Sequence, residues 1–336
     1  MQWKDYNIVW ERFPYEFIEA DDDPIFGTGA KEGYKINQND LMIRPQYANK
    51  ILEYTASGKG TCDSVEAFRE NFEKIDPRYK DPKNPVLYKY NSKGYRTKEF
   101  QSFKDDEFII AMGDSYTEGT GLFSEDLWHT HLGKWFDLDV CNIGMAGHGV
   151  ESIVWNLNQW FALNLPKPKM IFIQIPEETR KHFFYYCESS KEQLYDIRYH
   201  VKSAVQGGGS WGDEVHPSRY DTEWFQNRFL SNQGQMIADL YLGYMQINNL
   251  LKAHDIPFVV WSFGAPLDSV VSNYAKQNDV KFCRIGHYEK YRNDFARDMM
   301  HPGAKTHQYI FESLKEFYNS DLLYDQYPKN DCRRVT

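Results

Sequence analysis

EFIIAMGDSYTEG, residues 107–119, is the stretch on which the fold turns. Its first six residues form a short run that is apolar on both faces, as in a strand covered on both sides by helices. Gly113, Asp114 and Ser115 follow at once, all of them turn formers, and a helix-compatible stretch comes next. Working outward, the same strand signature recurs at 138–143 (LDVCNI), 169–175 (KMIFIQI), 256–263 (IPFVVWSF) and 280–285 (VKFCRI). Stretches with apolar residues at helical spacing lie between or after them, at 124–136, 150–163, 233–254, 266–277 and 304–318. Strand–helix alternation predicts a three-layer α/β/α sandwich around a mostly parallel five-stranded sheet.

Two regions fall outside this rhythm. Residues 1–106 carry little clear period apart from an amphipathic patch at 64–75, and read as an N-terminal extension or accessory region. The catalytic-type domain then spans 107–320, with a tail at 321–336. Within it, 178–231 holds FFYY, GGGSWG and many other aromatics. An insertion this long in a compact domain is normally a lid or a subdomain.

Composition narrows the function classes. The 336 residues carry 39 Lys+Arg against 48 Asp+Glu, a net charge of -9. Affinity for nucleic acid comes mainly from cations that neutralise phosphates, so nucleic acid is not expected as a partner. No apolar run has the length of a signal peptide or a membrane span, so no membrane partner is expected, and a cytoplasmic or virion-associated protein is. The five cysteines are scattered, without a CxxC spacing, and read as free thiols in a reducing compartment. His129 and His131 lack a third ligand at suitable spacing, so neither a metal nor another cofactor is expected. The composition leaves a homo-oligomer open. Aromatic residues make up 16% of the chain, enough to raise the question of a stacking surface for sugars.

Three features carry chemistry. Ser115 sits where a strand meets a helix, at the carboxyl edge where parallel sheets bind ligands. A Gly-Asp-Ser triplet arises by chance in roughly one such chain in ten, so its position matters more than its presence. Asp298 precedes His301 by three residues, just ahead of the last helix, close enough to hold one imidazole nitrogen and leave the other as a base. The turn 142–149 (NIGMAGHG) follows the second strand of the domain, and its glycines leave backbone N–H groups uncovered, as an anion hole requires. Nucleophile, base with its acid, and anion hole thus converge on one sheet edge.

GDSYTEG, NIGMAGHG and DMMHPGAKTHQYI resemble, in order and spacing, the first, second and fifth blocks of the SGNH (GDSL) hydrolases over residues 107–318. NSKGYRTKEF at 91–100 is similar to a segment that precedes the catalytic domain in some bacterial and phage members. The resemblance implies a flavodoxin-like fold and a serine esterase in which Ser115 is the nucleophile, His301 the base and Asp298 its partner. It also implies an oxyanion hole made of the Ser115 and Gly147 N–H groups. The chain departs from the family where the third block should supply an Asn: its strand ends IFIQIPEETRKHFF. Thr179 or Arg180 are the candidates to fill that role, against the plainer alternative that 177–180 is a solvated helix start. Asp114 and His148 are further candidates for touching substrate, although a structural role suits His148 equally.

The expected activity is hydrolysis of an acetyl or other short acyl ester on a carbohydrate or small molecule. Trp211, Trp224, Tyr185 and Tyr186 are the candidates for sugar stacking. Two alternatives stand beside it: an SGNH-fold binding or assembly module without turnover, and an O-acyltransferase acting on glycans.

Overall fold

The computed structural model describes residues 34–36, 40–42, 44, 47–52, 65–81, 83–176, 180–186, 194–200, 233–262, 274–278, 280–285 and 294–320. Among the described residues ten strands run in chain order: β1 (Tyr34–Ile36), β2 (Ile51–Leu52), β3 (Tyr88–Lys89), β4 (Phe108–Gly113), β5 (Asp139–Gly144), β6 (Met170–Gln174), β7 (Arg180–Tyr186), β8 (Leu194–His200), β9 (Phe258–Ser262) and β10 (Phe282–Arg284). The α-helices are α1 (Val65–Asn71), α2 (Ser115–Glu118), α3 (Trp128–Phe136), α4 (Val150–Ala162), α5 (Gln233–Ala253) and α6 (Ala304–Asn319). Residues 274–277 add a helical turn within the stretch expected to be helical.

The central sheet has the order β5-β4-β6-β9-β10, and every neighbouring pair in it is parallel. All five apolar runs of the sequence are therefore its strands, each within two residues of the expected ends. The order reverses between β4 and β6, and open α/β sheets bind ligands beyond the carboxyl ends of the strands at such a reversal. Ser115 follows β4, and Gln174 ends β6.

The two faces of β4 show why the run had to be apolar throughout. Phe108, Ile110 and Met112 join the core under α4 and α5, which contribute Val150, Ile153, Leu157, Trp160, Leu240, Tyr244, Ile247 and Leu251. Ile109 and Ala111 point the other way, to Trp128 and Leu132 of α3 and to Ile310, Phe311 and Leu314 of α6. Alternation with period two, buried on both sides, is the signature of a central parallel strand. Three of the tryptophans, Trp128, Trp160 and Trp261, are fully buried here, so part of the aromatic excess is core.

Segments before the sheet enter these cores too. Leu41, Met42, Tyr95, Phe100 and Phe103 belong to the α4/α5 side. Met42 N–H donates to Asn156 Oδ1 at 3.0 Å, and the Trp155 indole donates to Asp40 O at 3.0 Å, which straps 40–42 onto α4. A third cluster joins Tyr47, Leu52, Phe68, Phe72, Ile75, Tyr79, Val86, Tyr88 and Tyr90 to Leu122, Phe123, Leu127 and Ala296. It therefore packs against the loop after α2 and the loop before α6.

Of the segment read either as a donor or as a helix start, Thr179 lies outside the described residues and Arg180 begins a strand. Arg180 opens β7, which pairs antiparallel with β8 from Arg180↔His200 to Tyr186↔Leu194, and β8 pairs in turn with β1. The FFYY segment lies in this hairpin strand, and aromatic residues favour that conformation. Trp211 and Trp224 lie outside the described residues. Among the described residues no helix is long and apolar enough to cross a membrane, and Cys141 and Cys283 are buried free thiols.

Candidate active site

Ser115 is the first residue of α2 and is buried, directly behind the end of β4. Asp114 caps that helix: its Oδ1 accepts the Tyr116 N–H at 2.9 Å. The same oxygen accepts from Gln174 Nε2 at 2.8 Å, and Gln174 Oε1 accepts the Thr117 hydroxyl at 2.7 Å. A glutamine at the end of a buried apolar strand thus clamps the Ser115 turn from the neighbouring strand. Asp114 is 1% exposed, and its carboxylate is directed to α2 and Gln174.

The second element is the turn after β5. Gly113 and Gly144 are register partners, and Met145 N–H donates to Gly113 O at 2.9 Å. A Cβ at Gly144 would lie 2.2 Å from Glu118 N, so only glycine lets α2 sit this close to the end of β5. Gly147 adopts φ +76°, the left-handed region, and is half-buried. His148 is buried, its backbone N–H donates to Met145 O at 3.1 Å, and its ring Nδ1–H donates to Ala146 O at 2.9 Å. This imidazole braces the turn that contains Gly147.

The third element brings Asp298 to His301. His301 Nδ1 lies 2.5 Å from Asp298 Oδ2, while Asp298 Oδ1 accepts the backbone N–H groups of Met300 and His301 at 3.0 Å each. Burial alone would push the Asp298 carboxyl up. The attraction of His301 and the three hydrogen bonds outweigh it and hold the group below the ordinary carboxylate range. With Nδ1 donating to the carboxylate, the Nε2 lone pair is left to accept a proton. The imidazole stands edge-on to the ring of Tyr116, the residue after Ser115, at 5.8 Å between centroids. Arg297 N–H donates to Gly121 O at 3.1 Å, which ties this loop to the segment following α2.

Two further histidines are structural supports. His129 Nε2–H donates to Thr117 O at 3.0 Å, and burial pushes its pKa down to about 3. His307, on α6, accepts the Trp128 N–H at Nδ1 (3.2 Å), and burial holds it well below the usual histidine range. Among the described residues no group of three or more His, Cys, Asp or Glu could hold a metal. Thr179 lies outside the described residues, and of Arg180 only its backbone position at the start of β7 is described.

Sequence reasoning did not single out Glu118. Its carboxylate, 1% exposed, receives four donors. Arg44 Nη1 (2.8 Å) and the Tyr90 hydroxyl (3.1 Å) reach Oε1; Arg44 Nη2 (3.2 Å) and the Ala146 N–H (2.6 Å) reach Oε2. Burial would lower the Arg44 guanidinium, but the charge of Glu118 overrides it and the pair stays ionic. Arg96, also buried, donates to the backbone oxygens of Glu118, Gly119 and Leu122 at 2.7–3.2 Å. The only hint in the sequence was a carboxylate inside GDSYTEG, four residues from Asp114. Nothing local pairs it with an arginine 74 positions away.

No protein-family profile and no curated protein sequence matches the chain. Solved structures do resemble it. TesA shares 13% identity at a TM-score of 0.41, over 63% of this chain and 98% of its own. The acetyl xylan esterase AlAXEase shares 9% at 0.39, over 62% and 98%. AlinE4, an SGNH-hydrolase family esterase, shares 16% at 0.32, over 54% and 77%. The α/β fold is defined by the chain's own parallel sheet and flanking helices, and the structures it resembles include esterases.

Proposed function

We propose that the protein is a serine carboxylester hydrolase. The observation that carries this reading is the 2.5 Å Asp298–His301 contact beside Tyr116, the residue that follows Ser115. In the proposed cycle Ser115 Oγ attacks the ester carbonyl carbon and gives its proton to His301 Nε2. The carbonyl oxygen becomes an oxyanion that accepts the N–H groups of Ser115 and Gly147. Asp298 stabilises the imidazolium through Nδ1. Collapse expels the alcohol, which takes the proton from Nε2 and leaves an acyl-Ser115. Water attacks that ester with His301 again as base, and the carboxylic acid departs.

Thr179 or Arg180 is proposed to supply the donor that the family takes from its third-block Asn, since both follow β6 in the sequence. The substrate class is an acetyl or short acyl ester of a carbohydrate. Support comes from the aromatic-rich stretch 178–231 and from the acidic net charge, which disfavours polyanions.

The test is turnover of p-nitrophenyl acetate, and acetate release from an acetylated oligosaccharide, by the wild type and Ser115→Ala. Wild-type turnover that vanishes in the variant, with fluorophosphonate labelling at Ser115, is the expected result. Equal rates in the two proteins would remove the proposed nucleophile. A folded wild type that neither turns over nor labels would favour the binding-module alternative.

A further inference from the structure

Glu118 lies between the proposed nucleophile and the proposed anion hole, and its chemistry is unusual for a buried residue. Four donors converge on its two oxygens, two of them from one guanidinium. Only an ionised carboxylate, which accepts at both oxygens and donates at neither, satisfies all four; a glutamine would turn an NH₂ toward two of them. The bidentate pairing with Arg44 fixes the plane of the carboxylate. Burial pushes the Tyr90 phenol well above its ordinary range, so its hydroxyl stays a donor.

The donor that matters is Ala146. Its N–H meets Glu118 Oε2 at 2.6 Å, and it immediately precedes Gly147. The turn is held at Met145 by Gly113 O and at His148 by its two bonds within the turn. Glu118 supplies the bond between those two points, from the last residue of the helix that starts at Ser115. One carboxylate therefore sets the distance between the two peptide groups proposed to bind the oxyanion, Ser115 N–H and Gly147 N–H. Arg44 and Tyr90, from the segments before the sheet, hold that carboxylate in place.

We infer that Glu118 is a positioning residue for the oxyanion hole, oriented by Arg44 and Tyr90 and acting through the Ala146 N–H. This rests on the esterase reading above. Anion holes act in the transition state and not in the ground state, so misplacing one lowers kcat and leaves KM nearly unchanged.

The experiment measures p-nitrophenyl acetate kinetics per active site, with sites counted by the endpoint stoichiometry of fluorophosphonate labelling so that misfolded protein does not contribute. The variants are Glu118→Gln and the double variant Arg44→Met/Glu118→Leu. The double variant keeps the fold testable, because replacing a buried ion pair by apolar residues of similar size is often neutral or stabilising. Both are expected to lose roughly 10- to 100-fold in kcat per labelled site, with KM within about threefold, somewhat less than complete removal of an anion-hole donor. Wild-type kcat per labelled site in either variant overturns the inference. A parallel rise in KM overturns it too, because that would mean lost ground-state binding. If neither variant folds, Glu118 serves folding alone and the inference falls. Ser115→Ala, run alongside, separates the two levels: turnover that survives in it defeats the esterase reading itself, whatever Glu118 does.

Discussion

Two of the buried carboxylates of the candidate site, Asp298 and Glu118, have different kinds of cationic partner. Asp298 pairs with an imidazole three residues along the chain, and Glu118 with a guanidinium 74 residues away. Both carboxylates are 1% exposed, and each also accepts backbone N–H. The difference lies in the partner. An imidazole can take up and release a proton near neutral pH; a guanidinium cannot. In the proposed cycle Asp298 stabilises a charge that comes and goes on His301, and in the proposed oxyanion hole Glu118 holds a permanent one. The first pair is proposed to serve proton transfer, and the second to hold backbone in place.

The most damaging way to test this contrast is Asp298→Asn. The amide keeps the shape, but its NH₂ group can face Nδ1, which then accepts and leaves the proton on Nε2, the wrong atom for a base. We expect kcat to fall by about 10³–10⁴-fold while the thermal midpoint moves little. A fall below tenfold would put Asp298 outside the relay. Arg44→Ala is expected to invert that pattern. It strands a buried Glu118 without its cation, at a cost of roughly 3–5 kcal/mol in unfolding free energy. Urea denaturation reads this directly, and the Arg44→Met/Glu118→Leu double variant should recover most of the loss. A single variant as stable as the wild type would show that the pair is not energetically coupled.

The smallest expected effect concerns pH and comes from the supporting histidines. The depressed pKa values of His129 and His307 mean that the unfolded chain binds protons in the range where the native state does not. Their contribution to stability is complete above the unfolded value of about 6.5. It is lost as pH falls from there, for His129 until about pH 3. Stability should thus drop between pH 6.5 and 5 by roughly 1 kcal/mol per pH unit for each histidine. Asp298 acts lower on the scale: its depressed pKa contributes stability that is present above about pH 4 and lost as pH falls through its folded value. Unfolding curves at stepped pH check both, and His129→Gln, whose amide can still donate to Thr117 O, should flatten the upper slope.

What could be read without the structure was local. β4 was legible because a strand covered on both faces needs an unbroken apolar run. Asp298 and His301 were legible because three residues is a distance that a tight turn closes. Arg180 was open between an anion donor and part of a helix start; it begins a hairpin strand paired with 194–200, which pairs in turn with 34–36. Gln174 passed unremarked within an apolar run, because its partner Asp114 lies across the sheet reversal.

The sequence alone determined the three-layer sandwich, the order of its strands along the chain and the identity of the acid–histidine pair, because periodicity and short spacings act within one segment. Only the tertiary structure decided that Arg44, Tyr90 and Arg96 close around the Ser115 turn, and that Glu118 reaches the peptide beside Gly147. A buried charge must find its counter-charge wherever folding brings one, and that choice depends on the packing of segments far apart in the chain.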